Sequence, residues 1–493
     1  MTITLIVLGL YLSLLLGVAL GSHRLFRGTG EDWFLATRTI GPLLLLGSLF
    51  GTHMTAFSLL GASGEAYHRG VGVFALMASS SAVVVPLVFF LLGPRVWRLG
   101  RRNGYVTQVD LVRDRWGSSA LGTALFVALV LLLVPYLLIG VKGGGITLRE
   151  ITGGAAPEWL GSALLCLIVL VYVWAGGARG TAWANGLQTI VFTLVGGLAF
   201  WVVVDKAGGL GAALERVAAE RPDLLVPGAT IRPLELASYM LVPLSVATFP
   251  HLFLHWLTAR DERAFRLPIV AYPVAVAAVW LPSVLLGILG AVQVPGLEGP
   301  ASGSVLVRMI RDNAGDALSG LLAAGVFAAV MSSLDSQSLA LSSLFTRGVV
   351  RHYAGSDPGP RPREVLLGRL FAAGVLGIAL VLSMVVDRSI FRMGIWSFSG
   401  FTALAPLIFA AVWWRRATRA GAWCCLVTAM AAWLAFLLRS WNEPGYTVGG
   451  GGLMPVAVML VLSAAALVVG SLLSRPPAGD RLLRFFPAEE DAP

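Results

Sequence analysis

The sequence predicts an all-α integral membrane protein with about thirteen transmembrane helices, and three observations predict it. Of its 493 residues, 57% are hydrophobic and only 13% charged, against about a quarter charged in soluble domains. Apolar stretches close to the ~20 residues that cross a bilayer recur along the whole length. Two of them, the second and the seventh, are interrupted by Gly and Pro, and each opens a run of five. An odd number per set predicts halves of opposite orientation, an inverted repeat.

In order, the stretches are residues 3–21, 42–63, 71–92, 121–139, 159–175, 182–204, 236–257, 267–290, 317–345, 366–386, 393–414, 422–438 and 453–473. The first reads as a retained span, since it has no basic leader and no small-residue cleavage site followed by a soluble domain. The longest loops are 205–235 and 347–364, punctuated by Gly, Pro and charges. Between Tyr105 and Trp116, "YVTQVDLVRDRW" is amphipathic and predicts a short helix lying at the inner surface.

A net charge of +10 does not point to nucleic acid, because the basic residues form short clusters between spans and no stripe on a folded face. Their sidedness is informative. With the N-terminus outside, the inner loops and tail hold 24 Lys and Arg and the outer loops 12, so the positive-inside rule predicts N-terminus out and C-terminus cytoplasmic. The richest loop carries Arg95, Arg98, Arg101, Arg102, Arg113 and Arg115, read either as a topology signal alone or as a lipid or partner site. Cys166, Cys424 and Cys425 fall inside spans and read as packing residues, with no metal-site spacing around them.

The second stretch, "GPLLLLGSLFGTHMTAFSLLGASG", has Gly47, Gly51, Gly61 and Gly64 around Thr52, His53 and Thr55; the seventh, "MLVPLSVATFPHLFLHW", has Pro243, Ser245, Pro250 and His251. Both are expected to break as helices, freeing carbonyls and amides that must line a cavity or bind something. Ordinary kinks and small-residue packing explain either one singly.

The ninth stretch contains "GVFAAVMSSLDSQSLALSSLF" from Gly325 to Phe345. On a helix, the carbonyl of Ala329 and the hydroxyls of Ser332 and Ser333 fall on one patch. Uncharged hard oxygens suit a weakly bound alkali cation better than calcium or magnesium, which recruit carboxylates. Three oxygens are too few, and the carbonyls freed near Gly51 and Met54 are the natural complement. The alternative is that both serines bond back to carbonyls one turn earlier. Asp335 within a span costs ~2.5–3.5 kcal/mol on insertion scales and is functional by default, unless it reaches an inner aqueous exit.

The ninth stretch resembles the signature of the sodium:solute symporter family, an "AAxMSSxDSQ"-like run. Three further stretches are similar to that family in order: "GASGEAYHRG" (61–70), "GGARGTAWANGLQ" (176–188) and "WWRRATRAGA" (413–422). The resemblance covers nearly the whole chain. It implies a leucine-transporter-type five-plus-five inverted repeat in a single transporter domain over 1–493. Its parts would be an extra first helix and inner loop at 1–39, repeats at 40–204 and 235–414, two C-terminal helices at 415–474 and a cytoplasmic tail at 475–493. It further implies sodium ligands at the carbonyls of Gly51, Met54 and Ala329 and the hydroxyls of Ser332 and Ser333.

Two positions depart from the family. Many members have a Thr-Asp pair where Ala184 and Asn185 stand, so Asn185 joins Asp335 as a residue of the cation path with an amide in place of an acid. A glutamine after the tyrosine of the fourth span is replaced by Gly140, with Lys142 nearby. Lys142 either neutralises an anionic solute or snorkels to the outer surface. His53 either contacts solute, carries a proton, or packs.

The expectation is secondary active uptake of a small polar solute, with monocarboxylates or amino acids favoured, coupled to sodium by alternating access at the plasma membrane. The partners are the solute, sodium and the lipid bilayer, with no nucleic acid and no cofactor beyond the coupling ion. Candidate solute contacts are Thr52, His53, Ser58, Tyr136, Phe249, His251, Trp396 and Ser397, each also explicable as core packing. Alternatives are a proton-coupled transporter of the same fold and a transport-like sensor, for which the tail ending "AEEDAP" leaves no room. An enzyme would need a nucleophile, base or metal cluster that the sequence does not show.

Overall fold

In lipid every backbone polar group must be satisfied internally, so apolar stretches of this length fold as helices. The computed structural model describes residues 2–22, 35, 38–353, 362–443, 445–477 and 479–486, and almost all regular structure among them is helical. Each of the thirteen apolar stretches lies on a helix or on a bent pair of helices. Nine helices among the described residues are long and apolar enough to cross a membrane, two bent pairs qualify jointly, and two apolar helices are shorter.

The shorter ones are α1 (Thr2–Val18) and α7 (Glu158–Val171). The bent pairs are α2 (Pro42–His53) with α3 (Phe57–Arg69), inclined by 57°, and α10 (Pro233–Ala247) with α11 (Pro250–Thr258), inclined by 52°. The long helices are α4 (Phe74–Asn103), α6 (Ser119–Ile151), α8 (Gly177–Lys206), α12 (Glu262–Gln293), α14 (Asp316–Phe345), α15 (Val365–Val385), α16 (Ile390–Trp413), α17 (Arg419–Ser440) and α18 (Pro455–Leu472). Large apolar side chains face outward on several of these, for example Leu43, Leu194, Val270 and Val274, while α14 is buried on every side from Leu322 to Leu344. Large apolar side chains turned outward along the long helices are what a lipid-facing surface requires.

The two bent pairs are clipped to each other at both ends. At one end Ile40 donates to Thr258 O (3.1 Å) and Arg260 donates to Ile40 O (2.9 Å), joining the start of α2 to the end of α11. At the other, Arg69 bridges Glu65 (3.2 Å) and Glu235 (2.8 Å), joining the end of α3 to the start of α10. The two broken segments therefore run in opposite senses, as an inverted repeat requires.

The loop at 205–235 is not bare connection. It carries α9 (Leu210–Glu220) and the turn Pro222–Leu225, which packs over Gly70. Gly70 has φ +70°, and a Cβ there would sit 2.1 Å from Leu224 O, so only glycine fits. Part of the 347–364 loop lies outside the described residues, as do the tail beyond Phe486 and most of 23–37.

The amphipathic segment does form α5 (Gln108–Trp116), started by a Thr107–Asp110 capping box. It is not laid on a surface, however: Val109, Leu111, Val112, Arg115 and Trp116 are buried. Arg115 donates to the carbonyls of Ala411 (3.2 Å), Trp414 (3.1 Å), Arg415 (3.3 Å) and Ala417 (3.4 Å) at the end of α16. It thus satisfies carbonyls that a helix C-terminus leaves open. Neither sequence reading of the arginine cluster anticipates this structural role. Burial lowers its pKa to about 10, so it stays charged at neutral pH.

Candidate functional site

The break in the first pair falls at Met54–Thr55, where Met54 leaves the helix with φ −81° and ψ 106°. Thr55 then restarts it, its Oγ1 accepting from the backbone of Phe57 at 2.9 Å, and the segment resumes as a π turn, Phe57–Gly61. The glycines expected to cause the break do something else. A Cβ at Gly47 would lie 3.2 Å from the Cα of Gly186, and one at Gly51 would lie 2.3 Å from Thr189 Oγ1. They allow α2 and α8 to pack backbone to backbone. In the second pair Pro250 opens α11 at its first position, where its missing N–H is harmless. Thr248 in the break donates to Phe401 O at 2.7 Å.

Beside the first break runs α14. Ser332 Oγ donates to Gly51 O at 2.7 Å and to Ala329 O at 2.9 Å, so three of the five predicted ligand oxygens meet. Ser333 Oγ bonds back to Val330 O at 2.9 Å, the local alternative that the sequence left open. Met54 is fully buried at the break. Among the described residues no group of three His, Cys, Asp or Glu could hold a metal ion; the oxygens that meet at this crossing are two carbonyls and a hydroxyl.

One turn further along α14 lies a cluster that is only partly legible in the sequence. Thr52 Oγ1 is 2.6 Å from Ser336 Oγ, and His255 Nε2 lies 3.3 Å from Thr52 and 3.2 Å from Ser336. Asp335 is wholly buried and accepts from Ser336 Oγ at 3.0 Å, so it does not reach an aqueous exit. The Asn185 amide fits best with its nitrogen towards Asp335 (3.0 and 3.1 Å), Gln188 Oε1 (3.1 Å) and Ser332 O (3.2 Å). Its oxygen then accepts from Thr52 and Ser336 at 2.8 Å each. An aspartate at 185 would oppose Asp335 across the same gap; the amide donates to it instead. His255, Gln188 and Ser336 belong to this cluster without having been singled out. The available signals are the four-residue steps His251–His255 and Ser332–Ser336, each one helical turn.

The solute candidates separate into groups. Tyr136, Phe249 and His251 form a triangle, with ring centroids 5.1 Å apart for Tyr136–Phe249, 5.3 Å for Tyr136–His251 and 5.1 Å for Phe249–His251. Phe398 sits edge-on, 4.9 Å from Tyr136. His53 lies at its margin, 6.4 Å from Phe249, with Nδ1 hydrogen-bonded to the hydroxyl of Tyr272. Ser397 Oγ is bonded to Leu132 O at 2.9 Å, and Ser58 is buried in the π turn. Trp396 stands apart: its Nε1 donates to Ser440 Oγ at 3.2 Å, and it lines a cavity of about 320 Å³ with Glu65, Arg69, Phe391 and Arg392. Lys142 is buried and donates to Val386 O at 2.6 Å. All three cysteines are free, Cys166 and Cys425 buried and Cys424 exposed on α17.

Comparison with known proteins places this geometry. The pattern described as the sodium:solute symporter family matches residues 33–428. The chain is 26% identical over 476 residues to a sodium/pantothenate symporter of Escherichia coli (strain K12), covering 94% of both chains. It is 24% identical over 497 residues to a sodium/proline symporter of the same organism, covering 94% of this chain and 91% of the relative. Among solved structures, a Na+-coupled sialic acid symporter in a substrate-bound outward-open state superposes with a TM-score of 0.76 at 18% identity, over 96% of this chain and 98% of that one. Mhp1, a nucleobase-cation-symport-1 family transporter, gives 0.61 at 14% identity, over 92% and 97%. These two likenesses speak for the fold. Matched over most of its length and carrying the broken-helix architecture, the chain belongs to the sodium:solute symporter family.

Proposed function

We propose that this symporter draws a sodium ion inward through a site between α2 and α14 and uses it to take up a small polar organic solute by alternating access. The observation that carries this reading is the meeting of Ser332 Oγ with the carbonyls of Gly51 and Ala329. A monovalent cation would replace the serine proton as the partner of those oxygens, with the freed carbonyl of Met54 and the hydroxyl of Ser333 completing the shell. Because α2 ends at this point, an ion bound there steadies the broken segment.

The solute would sit against the Tyr136–Phe249–His251 triangle, between the two broken pairs, with monocarboxylates and amino acids favoured. Ion and solute affinities are reciprocally linked, so each should tighten the other. A sodium ion entering with a neutral solute moves one charge, worth ~2.3 kcal/mol per 100 mV, or about a 50-fold concentration ratio. Asp335, Asn185 and Thr52 would take the ion on its way inward. The positive-inside distribution supports an outer N-terminus and a cytoplasmic C-terminus in the plasma membrane.

A sodium titration of thermal stability in detergent or nanodiscs, with choline as the balancing cation, tests the ion site. Sodium should raise the melting temperature of the wild-type protein, and Ser332→Ala should need about 10- to 100-fold more sodium for the same shift; equal shifts in both at the same sodium concentration would remove the site from this crossing.

A further inference from the structure

The arginines at the end of α4, on α5 and after α16 gather at one end of the bundle, and most of them have partners. Arg98 pairs with Glu262 at 3.0 Å, Arg115 closes the carbonyls at the end of α16, and Arg416 donates to Ser471 O (2.7 Å) and Ser474 O (2.9 Å) at the end of α18. Arg95 is different. Its Nε is buried without a hydrogen-bond partner, and among the described residues its guanidinium meets ring faces alone, Trp413 at 4.2 Å and Phe486 at 5.4 Å.

The groups around it carry the same charge. Arg115 and Arg415 lie over the same Phe486 ring, each 5.5 Å from its centroid. Glu262 and Asp114, carboxylates of this end, are engaged with Arg98 and Arg484. Among the described residues, then, three guanidinium groups surround one ring and none is paired with a carboxylate, a local excess of charge that burial makes costly.

The surroundings point to where a counter-charge comes from. Trp413, beside Arg95, is 50% exposed and its Nε1 donates to Leu91 O at 3.1 Å; tryptophan at the end of a span marks the level of the lipid headgroups. Leading to Arg95 along α4, Val83, Leu87 and Phe90 are 60%, 49% and 63% exposed. Their spacing puts them on one face, an apolar stripe the shape of an acyl chain. Beyond Arg95 its own face continues with Arg98 and Arg102, both exposed.

From this we infer that Arg95, with Arg415 beside it, holds the phosphate of an anionic membrane phospholipid whose acyl chain lies on the exposed stripe of α4. A guanidinium presents a planar fork to phosphate oxygens, and basic pockets between spans are where anionic headgroups settle. Glu489, Glu490 and Asp491, which follow Phe486 closely in the sequence, carry the same sign and are the rival occupant. The apolar stripe and the exposed Trp413 favour the lipid, since a carboxylate arriving from water needs neither.

The test is thermal stability of the full-length protein in detergent, titrated with dioctanoyl phosphatidylglycerol, dioctanoyl phosphatidylcholine or inorganic phosphate. Phosphatidylglycerol is expected to stabilise the wild type at a concentration about 5- to 10-fold lower than phosphatidylcholine. Arg95→Gln, which keeps the stem and removes the charge, should raise the phosphatidylglycerol midpoint to that of phosphatidylcholine, and Arg95→Lys should fall between the two. An unchanged phosphatidylcholine midpoint shows that each variant is folded, and Arg216→Gln, on the exposed face of α9, should move neither lipid. The inference is overturned if the two lipids act at equal concentration on the wild type, or if Arg95→Gln and Arg95→Lys leave the phosphatidylglycerol midpoint where it was. It is also overturned if inorganic phosphate acts at the same concentration as phosphatidylglycerol, which would make the ligand a soluble anion. Truncation after Phe486 should keep the lipid preference of the wild type; a preference that appears only in the truncated protein would give the site to the acidic tail and overturn the inference.

Discussion

Ser332 Oγ donates to the carbonyl of Gly51 across 2.7 Å and 281 residues of sequence, and that contact is where the long buried helix α14 meets the broken end of α2. Ser333, its neighbour, turns the other way and bonds to Val330 O. The two serines are therefore unequal. Ser332→Ala is expected to raise the half-saturating sodium concentration for uptake by 10- to 100-fold, the loss of about 1.4–2.7 kcal/mol, and Ser333→Ala by a smaller factor. Uptake measured against external sodium in whole cells checks the order.

Asn185 and Asp335 form a complementary amide–carboxylate pair, at 3.0 and 3.1 Å. Asn185→Asp sets two carboxylates against each other in a buried site, and like charges at that distance cannot both stay ionised. The variant should melt several degrees lower than wild type. Exchanging the two groups, Asn185→Asp with Asp335→Asn, restores one acid and one amide and should recover at least half of that loss, a coupling that a double-mutant cycle on melting temperature reads directly.

Gly287 on α12 lies against α3 so closely that a Cβ would come 2.2 Å from the carbonyl oxygen of Ser63 and 2.8 Å from its Cα. Both atoms are backbone, so the helix as a whole must shift. Gly287→Ala should cost about 1–3 kcal/mol and reduce uptake without changing which cation drives it, read from melting temperature and maximal rate together.

Arg115 closes the end of α16 through four carbonyls. Arg115→Ala removes the donor to Ala411 O and Arg415 O and leaves Trp414 O and Ala417 O only the Ala417 amide and the Trp116 indole, and Arg115→Lys supplies a point charge that cannot reach them as a fork. Both should lower the melting temperature, the alanine variant more. Burial lowers the arginine pKa only to about 10. The cost of holding the cation in the folded protein is therefore fully present below pH 10 and declines above it. Between pH 6 and 9 the group stays protonated in folded and unfolded protein alike, so the difference between wild type and variant should be flat across that range.

How far the sequence reaches follows from what each feature depends on. The ligand patch on α14 is legible because Ala329 and Ser332 are one helical turn apart, a local property, and Gly51 because a broken span must free carbonyls. That a break exists near Met54 is legible; its cause is not, since the Thr55 cap sets it, while Gly47 and Gly51 serve the contact with α8. Asn185 reads as a lost acid in one dimension and as the partner of Asp335 in three. The same holds for Arg115, which charge counting assigns to membrane sidedness and the fold assigns to a helix end. The unpartnered Nε of Arg95 is visible only once every neighbouring acceptor is placed.

The most direct measurement is uptake from a panel of labelled monocarboxylates and amino acids by purified protein in proteoliposomes, with sodium and proton gradients imposed separately. If sodium is bound between Gly51 and Ser332, an inward sodium gradient alone drives accumulation, a proton gradient alone does not, and Ser332→Ala abolishes the sodium response at physiological sodium. Accumulation that follows the proton gradient and ignores sodium would contradict it.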